Sequence, residues 1–97
     1  MEYLIRRTDG EWFDLGPDQY DSALRPSSIP SRRVEGWGDY RIEVGGVEVS
    51  FSYEDPGIQV CFEGDMAESV ADAVVAEVLA NITAATGQEG RVVKVDW

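Results

Sequence analysis

Residues 40–63 read YRIEVGGVEVSFSYEDPGIQVCFE, and apolar and polar side chains alternate along most of this stretch. Within it, residues 40–44 and 47–53 each place an apolar side chain at every second position, which is the period of a strand with one buried face. The glycine pair at 45–46 supplies the positive φ angles that a tight hairpin turn requires. The same alternation resumes at residues 58–63. This stretch therefore predicts three antiparallel strands with one apolar and one polar face.

The geometry of the second turn decides which polar residues meet across these strands. Pairing outward from the glycine pair sets Glu43 opposite Glu48 on the polar face. If the turn at residues 54–57 is a four-residue loop, Glu63 stands beside Glu48 and three carboxylates form a row. If the turn is a tight one with Pro56 and Gly57 at its centre, Ser50 takes that place and the row stops at two. The sequence leaves both registers open.

Carboxylates that face each other directly destabilise a hairpin, so this row of glutamates requires a physical explanation. One interpretation is an acidic ridge, formed by Glu43, Glu48 and Glu63, that binds an Arg or Lys of a partner protein. The other interpretation is that Arg41 and the arginines of residues 16–38 fold over the sheet and neutralise the ridge internally. Both interpretations stay open from the sequence.

The residues that follow the third strand predict a long helix and a closing strand. Asp65, followed three residues later by Glu68, predicts a capping box with Asp65 at the N-cap. Gly87 predicts the end of the helix, and residues 91–97 predict a strand reached by a crossover. Helical spacing places one apolar stripe on this helix, made of Val70, Val74, Val78 and Ile82 with Ala67, Ala71, Val75 and Leu79.

The N-terminal part predicts a hairpin followed by a long connection. Residues 3–5 are apolar, Thr-Asp-Gly follows at 8–10, and Trp12 and Phe13 begin a second apolar segment, as in two short strands. Residues 16–38 show no period and contain three prolines, which is typical of a functional or mobile connection.

The elements together predict an α+β fold. It is a single domain, residues 1–97, with an antiparallel or mixed sheet of five to six strands and one long helix packed on one face, in the order ββ-loop-βββαβ. The sequence does not decide whether the last strand lies centrally or at an edge.

The charge of the chain is strongly negative and unevenly distributed. The formal net charge is −11, and residues 42–90 contain ten acidic residues and no basic one. Such a field repels nucleic acid and anionic membranes and accelerates encounter with basic surfaces. No apolar run approaches the ~18 residues of a membrane span, so we expect a cytoplasmic protein that contacts neither membrane nor nucleic acid directly.

Several classes of chemistry lack the residues that they need. The chain has no histidine and a single cysteine, Cys61, so neither a disulfide nor a zinc-type ligand set is expected. Asp9, Asp14, Asp18 and Asp21 do not have the spacing of a calcium loop. No nucleophile elbow or phosphate loop is present. We expect no catalytic residue, no metal and no cofactor.

Residues 61–95, CFEGDMAESVADAVVAEVLANITAATGQEGRVVKV, form a predicted strand, acidic helix and closing strand. This segment resembles the small acidic immunity proteins of bacterial polymorphic toxin systems. The resemblance implies a protein that inhibits a cognate toxin enzyme by occluding its active site. Two alternatives share the same charge: a nucleic-acid mimic that inhibits a DNA-binding or restriction-type protein, and a structural or adaptor domain whose charge serves solubility.

The acidic residues of the chain's base-free half supply the candidate contacts with a basic protein partner, and Trp37 is a candidate aromatic anchor. An alternative role for Trp37 is to cover the edge of the core. The predicted partner-binding residues are Glu43, Glu48, Glu63, Asp65, Glu68, Asp72 and Trp37.

Overall fold

The computed structural model describes residues 1–54 and 57–95. Within these ranges the strands are β1 (Glu2–Arg7), β2 (Arg32–Arg33), β3 (Tyr40–Val44), β4 (Val47–Glu54), β5 (Gly57–Glu63) and β6 (Gly90–Val95), and the helices are α1 (Tyr20–Ala23) and α2 (Glu68–Thr86). A 3-10 turn at Pro17–Gln19 precedes α1. The strands form one sheet in the order β2-β3-β4-β5-β1-β6, and all neighbours are antiparallel. The predicted α+β fold is confirmed, and β6 lies at an edge.

The first central hairpin has the predicted register, and the second has one of the two registers that the sequence leaves open. Gly45 and Gly46 have φ angles of 56° and 82°, which permits the two-residue turn between β3 and β4. Tyr53 lies opposite Ile58, as the four-residue loop requires, and the pairing continues for one further residue pair. This register places Glu63 beside Glu48. Residues 55–56, in the second turn, lie outside the described residues.

The predicted N-terminal hairpin is wrong. Residues 12–13 are not a strand, because β1 pairs with β5 on one side and with β6 on the other, which leaves no edge for a local partner. Phe13 is buried in the core instead, with 4% of its surface exposed. Apolar character at this position therefore reflects burial of the side chain and not strand pairing.

The predicted capping box is also wrong, because α2 begins after Asp65. The N-cap is Ala67, whose carbonyl accepts hydrogen bonds from the N–H groups of Val70 and Ala71, and no side chain caps this end. Asp65 is exposed. The predicted C-terminus is confirmed, since Gly87 has a φ of 72° and donates its N–H to the Thr83 carbonyl.

One face of the sheet is covered by α2, and we call the opposite side the open face. The helix buries Ala71, Val74, Val75, Val78 and Ile82, whereas Val70 and Ala67, two residues of the predicted stripe, are exposed. The core of the sheet comes from alternate residues of β1 and β3–β5. It comprises Tyr3, Ile5, Tyr40, Ile42, Val44, Val47, Val49, Phe51, Ile58, Val60 and Phe62.

The segment of residues 16–38 reaches both sides of the sheet. Its first part packs beside α2, where Ala23 and Leu24 are buried and the ring of Tyr20 contacts that of Tyr40. Its last part lies over the open face, where Gly38 approaches β4 closely. The edge strand β2 belongs to the same segment.

Helix α2 is long and apolar enough to meet the length and hydropathy criterion for a membrane span, which no segment was predicted to meet. It has 19 residues, and an 18-residue window within it has a mean hydropathy of 1.3, so its length and composition alone would permit it to cross a membrane. The core helix of a globular domain satisfies the same criterion, and five side chains of α2 are buried in this fold.

Candidate functional site

The acidic ridge on the open face carries its own cations. Glu43, Glu48 and Glu63 lie side by side on β3, β4 and β5, as one of the two predicted registers requires. The Nε of Arg41 donates to Glu48 at 2.7 Å, and its Nη2 contacts Glu63. Arg32 donates from β2 to Glu43 at 2.8 Å. Two guanidinium groups therefore bind the three carboxylates of the ridge.

Arg41 is the central cation of this arrangement because its side chain is only 9% exposed. The hydrogen bond to Glu48 raises the pKa of Arg41, so the guanidinium is charged at every relevant pH. The ring of Trp37 lies over this guanidinium, 5.4 Å from its central carbon, and remains 56% exposed. The ridge is therefore neutralised largely from within, as the second interpretation of the sequence holds.

Two other predicted residues form a separate cluster on the helix side. Lys94 of β6 contacts Glu68 at 2.6 Å and Asp72 at 3.1 Å, and Tyr3 donates its hydroxyl to Asp72 at 2.7 Å. The bond from Tyr3 lowers the pKa of Asp72, and burial followed by the same bond raises the pKa of Tyr3 to about 12. The contact with Glu68 raises the pKa of Lys94.

The predicted partner-binding residues consequently do not form one surface. The ridge and Trp37 lie on the open face, whereas Glu68 and Asp72 lie beside α2 and β6. Asp65 lies between these groups in sequence, is exposed, and makes no ion pair with any described residue.

A second surface, which the sequence analysis did not identify as a unit, lies at the far end of β4. We call it the aromatic-acidic end; it consists of Trp12, Tyr20, Tyr53, Asp14 and Asp39. The ring of Tyr53 lies 5.9 Å from that of Trp12 and 6.3 Å from that of Tyr20. Asp39 accepts the backbone N–H of Tyr53 at 2.8 Å. Trp12 is 46% exposed.

The two aspartates of the aromatic-acidic end are not neutralised by ion pairs within the part of the chain that the structure describes. Within residues 1–54 and 57–95, Asp14 and Asp39 make no ion pair. Burial raises the pKa of Tyr53, to which the charges of Asp39 and Asp14 also contribute. The only feature of the sequence that points to this surface is the apolar pair at residues 12–13, which lies among acidic residues. Its proximity to Tyr53 results from a contact between distant parts of the chain, which the sequence does not show.

The described residues offer little to metal or thiol chemistry. No group of three His, Cys, Asp or Glu side chains within them is close enough to share a metal ion. Burial raises the pKa of Cys61, and the charge of Glu2 acts in the same direction. A thiol with a raised pKa is a poor nucleophile at neutral pH.

Glu77 of α2 binds the loop of residues 27–28 to the helix through hydrogen bonds. Its carboxylate accepts the backbone N–H and the hydroxyl of both Ser27 and Ser28, at 2.7 to 2.9 Å. These hydrogen bonds, led by those from Ser28, lower the pKa of Glu77 from 4.5 to about 2. A carboxylate that is bound more tightly when ionised stabilises the fold only while it is ionised.

We expect Glu77→Gln to destabilise the protein near neutral pH and to lose this effect in acid. Because the pKa is lowered by folding, the contribution of Glu77 is fully present above pH 4.5 and disappears as the pH falls toward 2. Urea denaturation of both proteins between these pH values measures the difference. Glu89→Gln is the control, since Glu89 is exposed. A difference that stays constant with pH would contradict the assignment.

No family model, curated protein or solved structure was found to match this chain.

Proposed function

We propose that this protein binds and neutralises a basic protein partner, in the manner of an immunity protein that occludes the active site of a toxin enzyme. The observation that carries the proposal is that Asp14 and Asp39 lie beside the partly exposed aromatic rings of the aromatic-acidic end and make no ion pair within the described residues, in a chain with net charge −11. The resemblance of residues 61–95 to acidic immunity proteins favours a toxin enzyme as the partner. A cytoplasmic location belongs to the same proposal.

The composition of the aromatic-acidic end suits a basic surface. Trp and Tyr are enriched among the residues that dominate binding energy, because they bury a large area at low cost in side-chain entropy. Carboxylates beside them form charge-assisted hydrogen bonds with Arg or Lys. The exposed rim charge accelerates association, and the half-exposed Trp12 supplies an anchor.

The acidic ridge has a smaller part in this proposal than the sequence suggested. Arg41 and Arg32 already occupy its carboxylates, so a partner's cation would have to displace an internal ion pair. Such a displacement would contribute little binding free energy, because as many charge-assisted hydrogen bonds are broken within the protein as are formed with the partner. The ridge therefore serves primarily to hold β3, β4 and β5 together.

The proposal is tested by affinity capture with the tagged protein at low and high salt, followed by mass spectrometry and an activity assay of the recovered partner. We expect a basic protein at 1:1 stoichiometry whose toxicity is suppressed. Trp12→Ala combined with Asp14→Lys should weaken binding at least about tenfold, because it removes an anchor and reverses a rim charge. Asp65→Lys is the matched control, since it reverses an exposed charge at the opposite end of the strands.

Two outcomes would contradict the proposal. If no basic protein is recovered at low salt, the proposed function is contradicted. If the double variant binds the partner as tightly as the wild type, the aromatic-acidic end is not the binding surface. Competition by duplex DNA for the partner's bound surface would favour the nucleic-acid mimic over the toxin inhibitor. Binding that survives every charge reversal would favour an adaptor domain.

A further inference from the structure

The outer edge of β6 presents unpaired backbone groups. Each residue of an antiparallel strand directs its N–H and C=O to one neighbour, and these directions alternate along the strand. Thr8 donates its N–H to the Glu89 carbonyl, so the next residues to pair with β1 are Arg91, Val93 and Val95. The backbone groups of Gly90, Val92 and Lys94 therefore point away from the sheet. No described strand pairs with this edge.

The helix side of this edge has room for apolar side chains. A depression of about 300 Å³ lies between β6 and α2, and its lining residues are Tyr3, Asp72, Ala76, Val92 and Lys94. Ala76 is short and exposed, so α2 does not fill the space beside the strand. Val92 is 36% exposed, and Val93 on the open face is 37% exposed. A segment paired with β6 would cover both valines.

The open face at this edge carries two arginines that have no carboxylate partner among the described residues. Arg6 and Arg91 lie directly opposite each other on β1 and β6, a like-charge arrangement that destabilises a strand pair. Neither makes an ion pair with any residue in 1–54 or 57–95, and the buried Nε of Arg6 has no hydrogen-bond acceptor there. Glu54 lies in the same row beyond Gly57 and does not pair with them.

The Arg6–Arg91 pair differs from the acidic ridge in whether the like charges are compensated. At the ridge, like charges are tolerated because arginines of the same chain bind them. At Arg6 and Arg91 the described chain supplies no compensating anion, although acidic residues outnumber basic ones by 19 to 8. A buried donor that has no acceptor among the described residues, and that lies beside a second cation, would bind an anionic group favourably.

We propose that the edge of β6 accepts an extended segment of another protein, and that Arg6 and Arg91 select a segment with an acidic side chain on the open side. Backbone hydrogen bonds to the outward groups of β6 supply affinity, and alternate side chains supply specificity. Apolar residues of the segment lie toward Ala76 and Val92, and the acidic residue lies opposite Arg91. This site is separate from the aromatic-acidic end, so it stands or falls independently of the proposed function.

A second copy of the chain is a poor occupant of the same edge. A two-fold axis through Val92 would match the outward backbone groups of two β6 strands. It would also bring Arg6 and Arg91 of both copies onto one face within four adjacent strands, where the two arginine pairs would repel each other. Charged residues on edge strands prevent such self-pairing, and the same charges favour an acidic strand.

The test uses a short synthetic peptide with alternating valine and glutamate, titrated into the labelled protein at physiological salt. We expect the Nε–H resonance of Arg6 and the amides of Val92 and Lys94 to shift, and hydrogen exchange at these two amides to slow. A valine-lysine peptide should bind at least about tenfold more weakly. Arg91→Glu should reverse this preference, and the exposed position of Arg91 makes the variant compatible with folding.

Four results would overturn the proposal. Equal affinity of the two peptides would show that Arg6 and Arg91 do not select an acidic segment. Failure of both peptides to bind would show that the edge of β6 is not a binding site. Binding that persists after N-methylation of the peptide's amides would show that the arginines bind carboxylates without strand addition. Self-association through β6, measured by sedimentation of the wild type and Arg91→Glu, would make a second copy the occupant.

Discussion

Replacing Arg41 with methionine is expected to destabilise the fold by about 2 kcal/mol at neutral pH. Removing one partner of a fully buried ion pair costs about 3–5 kcal/mol, and we expect a cost below this range because Glu48 and Glu63 stay partly exposed and can be solvated. Methionine keeps apolar contact with Trp37, so the change isolates the charge. Denaturation by urea, followed by circular dichroism, measures the loss.

The pH dependence of this loss identifies its cause. Without Arg41, the glutamates of the ridge repel each other, and protonation in acid relieves that repulsion. The deficit of Arg41→Met should therefore shrink as the pH falls. Adding Glu48→Gln and Glu63→Gln to the variant should recover much of the stability at neutral pH. A deficit that is independent of pH would show that Arg41 acts through packing alone.

Arg32 provides the matched comparison. It also binds a ridge glutamate, but its side chain is 67% exposed. Exposed ion pairs contribute little, because solvent screens them and two long side chains must be ordered. Arg32→Met should therefore leave the denaturation midpoint nearly unchanged, which would separate the structural contribution of a buried arginine from that of an exposed one.

Gly57→Ala is expected to cost about 3 kcal/mol, near the upper end of the usual cost of overpacking a core. A Cβ at Gly57 would clash with the Ile5 carbonyl oxygen and would lie 3.3 Å from the Cα of Arg6. Both contacts are with the backbone of β1, which cannot rotate away as a side chain could. The strand pair β1–β5 must therefore separate locally.

Gly10→Ala is the control for this substitution. Gly10 has a φ of 80°, so alanine there is strained, but no atom lies within 4 Å of the added Cβ. The cost should be only about 1–2 kcal/mol. Urea denaturation measures the free energy of unfolding of both variants. Faster hydrogen exchange in β1 of Gly57→Ala than of the wild type would show that the β1–β5 pair is the part that is destabilised. Equal costs for the two substitutions would contradict a backbone clash at Gly57.

Local sequence patterns predicted the elements whose contacts are local. The strands β3, β4 and β5 follow from alternation and from the glycine pair at 45–46, and the end of α2 follows from Gly87. The false strand at residues 12–13 shows the limit of this reasoning. Its rejection depends on β1 having both edges occupied by distant strands, which no local pattern reports.

The candidate site was predictable only in part, for the same reason. Alternation brought Glu43 and Glu48 together, and the sequence left open whether Arg41 would neutralise them. The direction of the Arg41 side chain, set by Trp37 and two glutamates, decided that question. The aromatic-acidic end joins residues 12–14, 20, 39 and 53, so its assembly required the fold itself.

The position of β1 between β5 and β6 has a consequence for how the chain reaches its native state. Both neighbours of this N-terminal strand come from the second half of the sequence, so a growing polypeptide on the ribosome cannot complete the sheet until its last strand is synthesised. The β3–β4–β5 meander closes short loops and can nucleate earlier, whereas insertion of β1 must await long-range loop closure. During this interval the apolar side of β1 has no partner, and chaperone engagement is expected to concentrate there.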